Sequence, residues 1–304
     1  MEHSHSHGDH HHHHSHEIPS HQGRAFVLGI TLNLIFVAVE VFYGLIANSS
    51  ALLADAGHNV SDVLGLLFAW GAAWMATLKP KGKFTYGYRK TTILVSILNA
   101  LFLFIAIAFI AVDAYKKLQN PEPISGNTVI IVAIVGIIIN GITAYLFYKD
   151  QKKDLNIRGA FLHMIADALV SVGVVVSGVL INVTGLLWID PVTSFVIILV
   201  IFFSSWRLFT ASIDLALDAV PHNINYDEVA SFLKSINGVE DIHDLHIWAL
   251  STSQAALSVH VHMPSGDTDA LIHEIQEQLE EKFEIKHVTV QIEKLSTICH
   301  TDCH

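Results

Sequence analysis

The sequence predicts an all-α membrane bundle of six helical spans followed by a small α+β domain in water, and three observations carry the prediction. Hydrophobic residues make up 52% of the 304 positions and charged residues only 15%, which lies outside the range of an ordinary water-soluble domain. The charge is also divided unevenly: positions 1–218 hold 13 Lys/Arg against 14 Asp/Glu, and positions 219–304 hold 4 against 14. Third, a polar word inside an apolar run, His58-Asn59-Val60-Ser61-Asp62, returns later in the chain as His163-Met164-Ile165-Ala166-Asp167.

The elements follow in chain order. The first 21 residues contain ten of the 21 histidines; with nothing apolar to bury, segment 1–22 is expected to be a disordered His-rich tail, either a loose native chelator or an expression tag. Apolar runs at 25–46, 51–77, 91–115, 128–148, 159–182 and 189–211 each approach or exceed the ~20 residues that cross a bilayer as a helix, and together they define a membrane unit over 23–212. The loop after the second run holds Lys79, Lys81, Lys83, Arg89 and Lys90, and the loop after the fourth holds Lys149, Lys152, Lys153 and Arg158. Turns after the first and fifth runs carry no basic residue. The positive-inside bias therefore puts both chain ends in the cytoplasm of a cell (inner) membrane, with Lys116 and Lys117 running against it.

Beyond Arg207 the pattern becomes that of a small cytosolic domain, 213–296. Tyr226 to Ile236 reads as a helix, Val239 to Trp248 and Ala255 to Met263 as strands, Thr268 to Phe283 as an acidic amphipathic helix, and Lys286 to Ile292 as a last strand. The order α-β-β-α-β suggests a two-layer sheet-and-helix unit. Its histidines are His243, His246, His260, His262, His273 and His287. Strand alternation sets His260 and His262 on one face and His243 and His246 on opposite faces. Residues 297–304 form a tail with Cys299 and Cys303, the only two cysteines, so no disulfide framework is expected. The acidity of the C-terminal part argues against nucleic acid as a partner.

Polar residues inside the runs are few, and each needs a reason, because an ionisable group in a bilayer is tolerated mainly on ion or substrate paths. Four-residue spacing stacks His58 over Asp62 on one helix face, and His163 over Asp167 on another. Brought together across a bundle, the two pairs supply two imidazole nitrogens and two carboxylate oxygens, a tetrahedral set suited to Zn²⁺. Of the others, Asn99 and Asn140 read as hydrogen bonds between helices. Glu40 and Asp55 either line a watery path or bond between helices. Asp113, near an interface, is given no role.

Six runs, HxxxD on the second and fifth, Tyr86-Gly87-Tyr88-Arg89-Lys90 leading into the third, and His243-Asp244-Leu245-His246-Ile247-Trp248 near the C-terminus together resemble the cation diffusion facilitator family, in particular its bacterial zinc, cobalt and cadmium resistance exporters of the CzcD type. The resemblance covers about residues 20 to 296. It implies a homodimer, efflux of divalent cations by proton antiport, and a ferredoxin-like, metallochaperone-like cytosolic domain. By family pattern His58, Asp62, His163 and Asp167 match the transport site. His243 and His260 match positions of a cytosolic binuclear site, to which His262, His287 and Glu293 are further candidates. Arg89 and Asp218 match a charge interlock between the two parts. Where some relatives have Asp, this chain has His58, which favours zinc; Cd, Co, Fe, Ni or Mn remain alternatives.

The expected mechanism is competition. A neutral imidazole ligates Zn²⁺ and a protonated one does not, so metal and proton exclude each other at one site. The rival is a membrane metal sensor that binds without moving ions. No nucleophile–base pair, P-loop or Gly-rich phosphate motif is present, so the chain is expected not to be an enzyme, to use no ATP and to need no catalytic cofactor, with Zn²⁺ as the transported ion and as a regulatory ion of the cytosolic domain. Its remaining partners are the lipid bilayer, protons and a second copy of the chain.

Overall fold

The computed structural model describes residues 20–148 and 155–294. Six long helices come first: α1 (Ser20–Ala47), α2 (Ser50–Ala76), α3 (Thr91–Gln119), α4 (Gly126–Phe147), α5 (Leu155–Thr184) and α6 (Ile189–Ala216). Among the described residues four are long and apolar enough to cross a bilayer by length and composition, namely α3, α4, the Phe161–Thr184 part of α5, and α6; Thr31–Ala47 of α1 is a shorter apolar stretch. The polar word interrupts α2 near its middle.

The distribution of side chains in this bundle is inverted relative to a soluble protein. Trp70, Phe109, Tyr145 and Val183 are each more than two-thirds exposed, whereas Glu40, Asp55, Asn140, Ser171, Asp190 and Ser194 are fully buried. An apolar exterior of this extent requires a lipid partner. Close helix approach is bought with small residues: a Cβ added at Gly126 would lie 3.1 Å from the carbonyl of Gly178, and one at Gly178 would lie 3.2 Å from that of Gly126. This makes α4 and α5 an intimate pair, while α3 packs on α6 and α2 on α3 and α1. Between α2 and α5 there is little direct packing.

Of the two asparagines read as links between helices, Asn99 lies against Gly65 of α2, where an added Cβ would come within 2.9 Å of its amide. Asn140 is buried with neither amide atom hydrogen-bonded among the described residues. Lys117, which ran against the charge bias, is buried and pairs with Asp113 at 2.9 Å while donating to the Asn48 carbonyl at 3.1 Å.

The remaining elements are α7 (Tyr226–Ser235), β1 (Asp241–Ala249), β2 (Ala255–His262), α8 (Thr268–Phe283) and β3 (His287–Glu293). The predicted order α-β-β-α-β is observed. Asn225 caps α7 through the Asp227 and Glu228 amides, and Asp267 caps α8 through those of Asp269 and Ala270. The sheet order is β1-β2-β3, with β1 antiparallel and β3 parallel to β2; the parallel step needs a crossover, which α8 provides. Among the described residues the domain has three strands, one fewer than the full β-α-β-β-α-β pattern. Val229, Leu233, Leu257, Ile275, Leu279 and Ile285 form the centre of its core.

The two parts meet at the start of α3. Thr252 donates its amide to Thr92 Oγ1 at 3.1 Å, and Tyr86 meets His287 edge to face at 5.3 Å between ring centres. Asp218 does form an ion pair across this junction, but with Lys90 Nζ, at 2.6 Å, rather than with Arg89. Lys90 is the residue that leads directly into α3, and its flexible four-carbon stem carries the ammonium to Asp218. Both partners are about half exposed, which limits the pair to about 0.2–1 kcal/mol. In a double-mutant cycle on Lys90→Ala and Asp218→Ala, followed by thermal melting of the purified protein, a coupling within that range is expected; strict additivity would remove the pair from the junction.

Candidate metal centre

α2 and α5 each bring one HxxxD pair to the seam between them. The ligand atoms of His58, Asp62, His163 and Asp167 all lie within 4.8 Å of one another. His58 Nε2 stands 3.4 Å from Asp62 Oδ2 and 3.5 Å from Asp167 Oδ1; His163 Nε2 stands 3.0 Å from Asp62 Oδ2 and 3.6 Å from Asp167 Oδ2. Zinc bonds of about 2.0–2.2 Å put tetrahedral ligand atoms about 3.3–3.6 Å apart, which is close to these separations. The calcium shell, at about 2.3–2.6 Å and six to eight oxygens, needs wider spacing and more ligands. The two imidazole rings meet edge to face at 5.8 Å, so their nitrogens converge without the rings stacking.

The centre has a closed and an open side. The Asp167 side chain is 4% exposed and that of His163 40%, so access runs past His163 and Asp62. The α2 half is positioned from its N-terminus, where Asp190 of α6 accepts hydrogen bonds from the Ser49 hydroxyl, the Ser50 amide (2.7 Å) and the Ala51 amide (3.3 Å). A buried carboxylate from a neighbouring helix thus holds the first turn of α2, at the end where amide dipoles favour negative charge. Sequence reasoning missed Asp190, because an acidic residue in a first turn reads as an ordinary local feature.

A second cluster lies on the sheet face away from α7 and α8. His243 Nε2 is 3.5 Å from Glu293 Oε2, and His260 Nδ1 is 3.3 Å from Glu293 Oε1; these three residues form the other group of converging ligands among the described residues. The remaining candidates lie elsewhere: His262 faces Glu240 at 3.5 Å, and His287 packs on Tyr86. The expectation for His243 and His246 is also corrected. A β-bulge falls between them, since His243 pairs with His260 but His246 with Ser258, and Asp244 has φ 52°. One extra residue shifts the alternation, so His243, Asp244 and His246 all stand off the core while Ile242, Leu245 and Ile247 are buried. The bulge therefore adds Asp244 to this face, its carboxylate 2.9 Å from His246 Nε2 and 3.6 Å from His260 Nε2.

Comparison with known proteins assigns these features to a family. Residues 26–215 match the description "Cation efflux transmembrane domain", and residues 221–295 match "Cation efflux protein, cytoplasmic domain". The chain belongs to the cation efflux family. Family relatives include the metal cation efflux system protein CzcD of Cupriavidus metallidurans, 34% identical over 90% of this chain and 88% of that one. A cadmium, cobalt and zinc/H(+)-K(+) antiporter of Bacillus subtilis is 32% identical over 85% of each chain. The zinc transporter ZitB of Escherichia coli is 32% identical over 92% of this chain and 89% of that one. The metal-bound C-terminal domain of the CzcD transporter is similar to 23% of this chain at 38% identity, with 99% of that domain covered and a TM-score of 0.22. The chain is thus a membrane protein of a cation efflux family, with a helical membrane part and a small α+β domain.

Proposed function

We propose that this protein is a zinc exporter of the inner membrane that exchanges cytosolic Zn²⁺ for protons through the site of His58, Asp62, His163 and Asp167. The observation that carries the reading is the convergence of two imidazoles and two carboxylates at zinc-like spacing, inside a bundle whose exterior is apolar. All six long helices cross the membrane, both chain ends face the cytoplasm, and residues 23–212 form the transport unit. The protein works as a homodimer, without ATP and without catalysing a reaction.

The location of the site supports transport over storage. Its ligands sit on two helices that scarcely pack against each other, so the seam can open toward either side while α2 stays with α3 and α5 with α4. Protons that charge the imidazoles expel the metal, and metal arriving from the cytosol expels the protons. In the cytosolic domain His243, His260 and Glu293 supply a regulatory site, with Asp244 and His246 beside it.

The deciding experiment is flux into proteoliposomes with Zn²⁺, Cd²⁺, Co²⁺ and Mn²⁺ across an imposed pH gradient. Zinc movement that follows the gradient is expected; binding without gradient-driven movement would leave a sensor. For ion choice, His58→Asp exchanges a nitrogen for a hard oxygen. Mn²⁺ flux is then expected to rise relative to Zn²⁺, and an unaltered ratio in the same vesicles would remove ligand type as the selector.

A further inference from the structure

The bundle buries two carboxyl groups that the four-ligand site does not use. Glu40 of α1 and Asp55 of α2 both have 0% exposure. Each has one oxygen satisfied by a donor on another helix: Asn59 Nδ2 donates to Glu40 Oε2 at 2.9 Å, and Ser171 Oγ donates to Asp55 Oδ2 at 3.0 Å. Among the described residues the other oxygens, Glu40 Oε1 and Asp55 Oδ1, have no hydrogen-bond donor, and Asp55 stands one turn before Asn59 on the same face of α2, so the Glu40 carboxyl that Asn59 holds is set beside Asp55.

Two ionised carboxylates are acceptors only and cannot bond to each other. Side by side out of water they also repel strongly. Among the described residues no lysine or arginine pairs with either group; the charged and titratable groups facing them are His58 on α2 and Asp167 on α5. One proton between the bare oxygens converts two orphaned acceptors into a donor and an acceptor and removes one of the two charges.

We propose that Glu40 and Asp55 share one proton and release it when a divalent cation loads the four-ligand site. The placement of the donors couples the two sites. Asn59 lies between His58 and Asp62, and Ser171 lies one turn beyond Asp167, so the helix turns that supply the metal ligands also supply the hydrogen bonds to the pair. Asp55 is about 4.5 Å along the helix axis from His58. Two positive charges arriving there favour the doubly ionised pair over the proton-sharing one. The balance is simple: the carboxylic acid O–H breaks, its electron pair stays on the carboxylate, and the proton leaves by the open side of the site past Asp62. The pair then adds one proton to those exchanged for the metal at the imidazoles.

For its trigger, the inference rests on the zinc-site reading; the shared proton itself does not. The test is infrared difference spectroscopy on the purified full-length protein, with and without Zn²⁺, for the natural chain, Glu40→Gln, Asp55→Asn and Ser171→Ala. A protonated-carboxyl C=O band that moves in D2O is expected in the zinc-free protein. It should vanish on adding zinc, be absent from Glu40→Gln and Asp55→Asn, and shift without disappearing in Ser171→Ala. Calorimetry in buffers of different ionisation enthalpy should then show about one proton fewer released per zinc bound by Glu40→Gln. Absence of the band, or its survival in both carboxyl variants, overturns the shared proton. A band that persists with zinc bound overturns the release. Failure of the natural chain to bind zinc sinks the metal-site reading and the trigger with it, while the zinc-free band still decides whether the proton is shared.

Discussion

Asp167→Ala is expected to lower zinc flux by more than about a hundredfold while leaving the protein folded. Loss of a group that merely orients a ligand already costs about 10–100-fold in metal affinity, and Asp167 faces both imidazoles directly, at 3.5 Å from His58 and 3.6 Å from His163. Its removal leaves two nitrogens and one carboxylate around a vacancy that only water can fill. Folding does not suffer in proportion, because the substitution also takes an ionisable group out of a buried position. Asp62→Ala should behave alike, since Asp62 Oδ2 faces the same two rings. Flux in vesicles, zinc titration and thermal melting of both variants check this together. Near-normal flux in the two of them would mean that the metal passes elsewhere.

Asp190→Ala should be the most damaging single change to stability in the membrane part, at about 3–5 kcal/mol, the range for removing one partner from a buried charged contact. The arithmetic is local. The Ser50 and Ala51 amides and the Ser49 hydroxyl all lose their acceptor in positions with no exposure, and each stranded donor costs about 1–3 kcal/mol. Ser49 still caps the Leu52 amide, and Ser50 still donates to Asp113 at 2.6 Å, so the first turn loosens rather than melts. Asp190→Asn keeps an acceptor oxygen but loses the charge, and it should fall between the two. Melting of the purified protein in lipid decides: an unchanged midpoint for Asp190→Ala would show that the turn is held by its other bonds alone.

The fold was legible in the sequence wherever one local rule acts by itself. Hydropathy placed α2 at 51–77 against the observed Ser50–Ala76 and α4 at 128–148 against Gly126–Phe147. It stopped short for α3 and α6, which run on to Gln119 and Ala216, because hydropathy marks the stretch inside hydrocarbon while the helix itself continues through charged residues such as Lys116 and Lys117. The four-ligand cluster was legible for the same reason: i and i+4 on a helix are neighbours whatever surrounds them.

The parts that stayed hidden depend on distant partners or on a broken period. Nothing near Asp190 in the chain announces that it holds the start of a helix 140 residues earlier. Asp244 was invisible because a bulge leaves no mark in a short alternating strand, and assuming a regular period sent His246 to the wrong face. The exchange of Lys90 for Arg89 at the junction has a similar origin. Family likeness identifies a basic position at the start of α3 but does not resolve which of two adjacent residues points at Asp218.

The bulge in β1 also bears on how two copies of the chain can meet. β1 is the outer strand of the three-stranded sheet, and an outer strand normally offers an open row of amides and carbonyls to any second strand. At Asp244 that row is kinked by the left-handed residue and flanked by a carboxylate and the exposed ring of His246. Bulges and charges on a free edge are what keep sheets from joining edge to edge. Extension of one sheet into another through β1 is thereby disfavoured, so two cytosolic domains that meet on this side do so through side-chain surfaces, which can separate and rejoin without breaking a backbone ladder.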